Sequence, residues 1–210
     1  MRRVALAVLV AALAAGCLGG KAPIIGEPAP QLKDSAAEAA YQVTLEKYTS
    51  HRQIYTRLDP RIFSAMTSQT PAFVEARVRR SGAFLQLPAA DIDVQVQKEL
   101  ADTEPFYDFI LGVHLNNYRY DDFDKKNSTW RLALVTATGD VTPAKIERVG
   151  RSNLNLRALY PYLDDFWVAY RVRFPKTAEN GQPTQEPGAT KRVVRMASTL
   201  GQTEFEFPAQ

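Results

Sequence analysis

At Pro105 the apolar pattern of this chain changes period, and that change restricts the fold to one that mixes helices with a sheet. Upstream, apolar residues recur at intervals of three and four, as on a helix that buries one stripe. Downstream they alternate with polar residues, as on strands that bury one face. A helical group followed by short strands at hairpin spacing belongs to the α+β class. The expectation is N-terminal helices over 34–104, packed beside an antiparallel β-sandwich over 105–210. Its architecture would be immunoglobulin-like without the antibody cysteine pair, because the chain holds one cysteine.

In the helical half, Asp34 and Ser35 offer an N-cap, and Glu38 stands three after Ser35 as in a capping box. A helix is expected to about Leu58, with Tyr41, Thr44, Tyr48, His51, Tyr55 and Leu58 on one stripe. That stripe packs on the body of the protein or meets a partner helix or a second copy. Tyr41, Tyr48 and Tyr55 are its candidate contact residues. Asp59-Pro60 ends the helix or marks a turn, and 61–70 fits either a strand or more helix. Pro71, after Thr70, opens a second helix to 85, and 88–102 reads as a third. Strands are expected over 106–115, 130–138, 141–149, 166–174, 191–198 and 203–207. Residues 154–165 form a crossover with a helical turn near 156–159, and 175–190 a polar loop.

Little in the chain suggests catalysis. There is no Gly-x-Ser-x-Gly elbow and no phosphate-binding glycine loop, and the two histidines, His51 and His114, are far apart. No enzyme activity, cofactor or metal motif is therefore expected. Asp121, Asp122 and Asp124, with Asn127 and Ser128, put hard oxygen ligands of the kind Ca²⁺ takes into one loop. The EF-hand glycine and closing glutamate are missing and Lys125 and Lys126 offset the charge, so a solvated hairpin loop is the main reading. Asp91 and Asp93, two apart on a helix, do not share a face. Arg77, Arg79 and Arg80, and later Lys191, Arg192 and Arg195, read as solvated faces. The net charge of +3 includes Arg2 and Arg3; without them 24 basic residues face 23 acidic ones, which gives no nucleic-acid signature.

Arg2 and Arg3 precede twelve uncharged residues, 4–15, a length that suits a signal peptide and is too short to cross a bilayer. Cys17 follows and is the only cysteine, so it has no disulfide partner in the chain. The stretch Leu13-Ala14-Ala15-Gly16-Cys17 resembles the lipobox of bacterial lipoproteins, with Ala14 where the commonest pattern has leucine. The resemblance implies removal of residues 1–16 and lipid on the Cys17 thiol. Two or three acyl chains then give a stable membrane anchor where one would not. Leu18 stands where enteric lipoproteins kept at the inner membrane often have aspartate, which points to the outer membrane, with the domain in the periplasm or at the cell surface. Residues 18–33, with three prolines and three glycines, read as a flexible tether. The segment 130–175 looks like the β-sandwich domains of uncharacterised bacterial envelope lipoproteins. A structural or protein-interaction role with an envelope partner is the implied function. The alternative is a binding module for a small ligand, glycan or calcium ion through the 116–129 loop.

Overall fold

The computed structural model describes residues 26–209; the expected signal peptide, Cys17 and residues 18–25 of the expected tether lie outside the described residues. The rest of that tether is tied to the body. The Pro30 carbonyl accepts from Arg80 at 3.1 Å, and the Leu32 N–H donates to Glu38 at 2.9 Å.

Helix α1 spans Ser35–Tyr48. The Asp34 carboxylate accepts from the N–H groups of Ala36 and Ala37 and so satisfies two donors that have no partner within the helix. Glu38 forms no capping box, because its carboxylate is committed to Leu32 and Arg80 instead. The helix stops ten residues short of Leu58. Residues Thr49–Thr56 form strand β1, joined by a tight turn to β2, Asp59–Ser68. The expectation of one helix to Leu58 fails because 49–56 also alternates: Ile54 enters the core while His51 and Tyr55 point to the other face. Pro60 sits at the start of β2, where a missing donor costs least.

Helices α2 (Pro71–Phe84) and α3 (Ala89–Thr103) follow as expected, α2 with Thr70 as its N-cap. Then come β3 (Phe106–Leu115), β4 (Arg131–Thr136), β5 (Gly139–Val141), β6 (Lys145–Arg151), the short helix α4 (Leu154–Leu159), β7 (Val168–Pro175), β8 (Lys191–Ser198) and β9 (Gly201–Pro208). The expected strand 141–149 is divided between β5 and β6, which belong to different sheets, with Pro143 between them. Phe166 and Trp167 precede β7 rather than opening it.

The strands make two antiparallel sheets, ordered β1-β2-β3-β7-β6 and β5-β4-β8-β9. The first runs across the boundary expected at 104, since β2 pairs with β3 from Ile62–Leu115 to Ser68–Phe109. One apolar cluster joins both sheets, with Met66, Phe109, Leu111, Tyr170 and Phe174 from the first and Leu134, Met196 and Phe205 from the second. A second cluster joins the opposite face of the first sheet to the helices, through Tyr41, Leu45, Tyr48 and Phe73 above Ala65, Ile110 and Ala169. The five-stranded sheet is therefore buried on both faces at its centre, which is why β3 reads as a nearly continuous apolar run. Gly112 lies there because a Cβ would come within 2.3 Å of Leu163 and 3.1 Å of Trp167.

Candidate functional site

Of the three tyrosines expected on one surface, two are used internally. Tyr41 and Tyr48 are buried on α1 and pack on Phe73, and the Tyr41 hydroxyl donates to the Leu159 carbonyl. Burial pushes the Tyr41 phenol well above its usual range, so it stays protonated as that donor. Tyr55 lies on β1 instead and is 49% exposed.

The acidic loop does not converge. Asp121 accepts from Tyr170 at 2.5 Å and from Arg148 at 2.5 Å. Asp122 accepts from Ser128 and Thr129 and closes its own turn. Asp124 faces Lys125. Among the described residues no group of three His, Cys, Asp or Glu could hold a metal ion, and of the calcium candidates Asp121 and Asp122 are engaged by neighbouring side chains while Asp124 has only Lys125 beside one oxygen. Burial first, and then the Asp121 hydrogen bond, push the Tyr170 phenol well up.

The basic residues are not simple solvated faces. Arg77 pairs with Glu99, Arg79 with Glu75 and Asp93, Arg195 with Asp140 and Glu204, and Lys191 with Glu206. Arg80 and Arg192 are buried, and each lies over an aromatic ring, Tyr41 and Tyr107 respectively. Asp91 sits in the first turn of α3, apart from the Asp93–Arg79 pair.

What the fold does bring together is a row of rings on the helix-side face of the five-stranded sheet, at the end away from α1. Odd-numbered residues of β1 point to this face. Phe63 on β2 stands directly opposite His114 on β3. Tyr55 meets Phe63 edge-on at 6.1 Å, Phe63 meets His114 at 6.1 Å, and His114 meets Phe166 at 6.2 Å. Such edge-to-face spacing is the preferred aromatic geometry. Phe63 and His114 are half-buried, while Phe166 is 62% exposed. Because α1 ends at Tyr48, the helical layer stops short of this end of the sheet. Asn116 binds Asp59 at 3.0 Å and the Arg61 carbonyl at 3.3 Å, which holds the loop after β3 against the β1–β2 turn. Leu58 and Tyr118 stand at that end of the sheet, 95% and 82% exposed.

The helical stripe expected from the sequence holds Tyr55 but neither Phe63, His114 nor Phe166. The signal that could have found the row is alternation: 51, 53 and 55, then 63 and 65, then 112 and 114, fall on one face once 49–56 is a strand. Compared with protein families, with curated proteins and with solved structures, the chain has no match.

Proposed function

We propose that this protein is a lipoprotein of the bacterial envelope, held to a membrane, the outer one by preference, through lipid on Cys17, and that its folded part binds another envelope protein. The row Tyr55, Phe63, His114 and Phe166 is the contact surface. The observation that carries this reading is the exposure of Tyr55 and Phe166 at the ends of a row of packed rings. Single exposed apolar residues are ordinary, but a contiguous aromatic row on a sheet face is the composition of a protein interface. Tyrosine and phenylalanine bury large area there at small entropic cost, and half-buried neighbours hold them in place. The chain acts without a reaction step, as a positioning or assembling component. The two sheets joined by one apolar cluster support an immunoglobulin-like sandwich as the platform that carries the row.

Two measurements test this. A photo-crosslinking benzoylphenylalanine at position 166, in cells, is expected to give one discrete protein adduct, and the same residue at Val94, exposed on α3, none. Tyr55→Ser is expected to diminish the adduct. Equal adducts at 166 and 94, or none at 166, would refute the surface. The anchor is tested by the mass of the N-terminal peptide from native membranes, which is expected to begin at acylated Cys17. An unmodified thiol or a retained Met1 there would refute it.

A further inference from the structure

Where the start of β3 meets the end of α3 and the start of α2, the chain encloses a cleft of about 390 Å³. This volume lies within the range of small-molecule sites. Pro71, Leu100 and Phe106 form apolar wall, and Tyr107, Lys176 and Arg192 complete it. The guanidinium of Arg192 lies over the Tyr107 ring at 3.8 Å, and Nε donates to Gln185 at 2.9 Å. The Lys176 ammonium is 5.9 Å from the same ring.

Arg192 is 5% exposed, yet among the described residues no carboxylate lies within ion-pairing distance of it. That sets it apart from the other fully buried arginines, Arg80 and Arg157, and from the half-buried Arg77, Arg171 and Arg173. Arg80 faces Glu38, Arg157 faces Asp165, Arg77 faces Glu99, and Arg171 and Arg173 face Asp102 and Asp108. A buried cation without a counter-ion is costly, and folded chains seldom keep one without use. The cleft's own carboxylates do not fill the role. Asp108 is held by Arg171 at 2.5 Å, and Glu104 is exposed and beyond ion-pairing distance of Lys176. Burial lowers the pKa of Arg192, and burial together with Arg192 lowers that of Lys176, against the opposing pull of Glu104. An anion between the two cations would reverse both effects. The positive end of the fourteen-residue helix α2 opens on the same cleft at Thr70 and Pro71.

We infer that this cleft is a binding site for a small carboxylic acid with an apolar body. The carboxylate meets the guanidinium of Arg192, which presents two parallel donors to such a group, with the Lys176 ammonium beside it. The body rests against Leu100, Pro71 and the Tyr107 ring. The site lies at the opposite end of β3 from the aromatic row and does not depend on it.

The test is calorimetric titration of the full chain with sodium benzoate, with neutral benzamide of the same shape, and with inorganic phosphate. Benzoate is expected to bind saturably, and benzamide and phosphate at least tenfold more weakly. Lys176→Gln should weaken benzoate several-fold with little change in the melting temperature. Leu100→Trp, which fills the cleft and leaves both cations, should abolish binding. Arg192→Gln should cost at least tenfold. If that variant fails to fold, the other two decide. Absence of benzoate binding, equal binding of benzamide, or wild-type binding by both Lys176→Gln and Leu100→Trp overturns the inference. Phosphate binding as tight as benzoate overturns the apolar-body requirement.

Discussion

Arg80 shows how one side chain can hold several segments. Its guanidinium binds Glu38 on α1, the Pro30 carbonyl of the entering chain and the Ala158 carbonyl at the end of α4, and it stacks on Tyr41 at 4.3 Å. Glu38 answers it. Burial alone would raise the Glu38 pKa, but hydrogen bonds from Arg80, Gln42 and Leu32 and the Arg80 charge prevail, so the carboxyl titrates below its ordinary value of 4.5. A depressed folded pKa means that the carboxylate's contribution is fully present above the unfolded value and is lost as pH falls through the folded one. Glu38→Gln leaves Arg80 buried without its counter-ion and is expected to cost about 3 kcal/mol at pH 7. Below 4.5 the difference from the parent chain should shrink, because the parent loses the same charge. Urea melts at pH 7 and near pH 3 check both statements. Neither partner was legible beforehand. Forty-two positions separate them, and the sequence reads Glu38 as a capping-box residue and Arg80 as part of a solvated face.

The element that most changes the reading is the hairpin of β1 and β2. Tyr48, His51, Tyr55 and Leu58 fit a helical stripe, and nothing local to 49–58 excludes it. The competing pattern wins because a strand can pair. Thr49–Thr67, His51–Ala65 and Gln53–Phe63 are in register, and Ile54 reaches the core between the sheets. A helix there would leave the edge of β2 unpaired and Ile54 without that burial. The turn carries strain. Arg57 adopts φ +59°, a conformation that favours glycine, in a two-residue connection between Thr56 and Asp59. Arg57→Gly is expected to raise stability by up to about 1 kcal/mol, read as a higher denaturant midpoint at unchanged m-value. Arg57→Val, β-branched at a positive φ, is expected to lower it. Helices α2 and α3 were legible because proline and threonine punctuate their starts, and strands β8 and β9 because alternation is unambiguous where one face meets solvent.

On the scale of the whole molecule, the helices and both sheets share packed layers and are expected to unfold as one body. The first sheet belongs to two apolar clusters at once, and the edges of the two sheets meet where Arg52 of β1 donates to the Glu204 carbonyl of β9. Trp130 lies in the cluster between the sheets and Trp167 in the cluster under the helices, so each reports on one of them. The single-tryptophan variants Trp130→Phe and Trp167→Phe are each expected to show one fluorescence transition coincident with loss of far-ultraviolet dichroism. A fragment holding only 105–210 should not fold, since it lacks the β2 partner of β3 and the helices that cover Ile110 and Ala169. Separate midpoints for the two clusters, or a folded fragment, would refute the single body. The sequence by itself determined the α+β class, helices α2 and α3 and most strands after Pro105, because periodicity and turn residues act over a few positions. Only the tertiary structure decided that 49–56 is a strand, that Arg80 is buried against Glu38 while Arg192 is buried with no carboxylate at ion-pairing distance among the described residues, and that Tyr55, Phe63, His114 and Phe166 form one row. Those outcomes depend on strand pairing and burial between segments tens of residues apart, which no local pattern encodes.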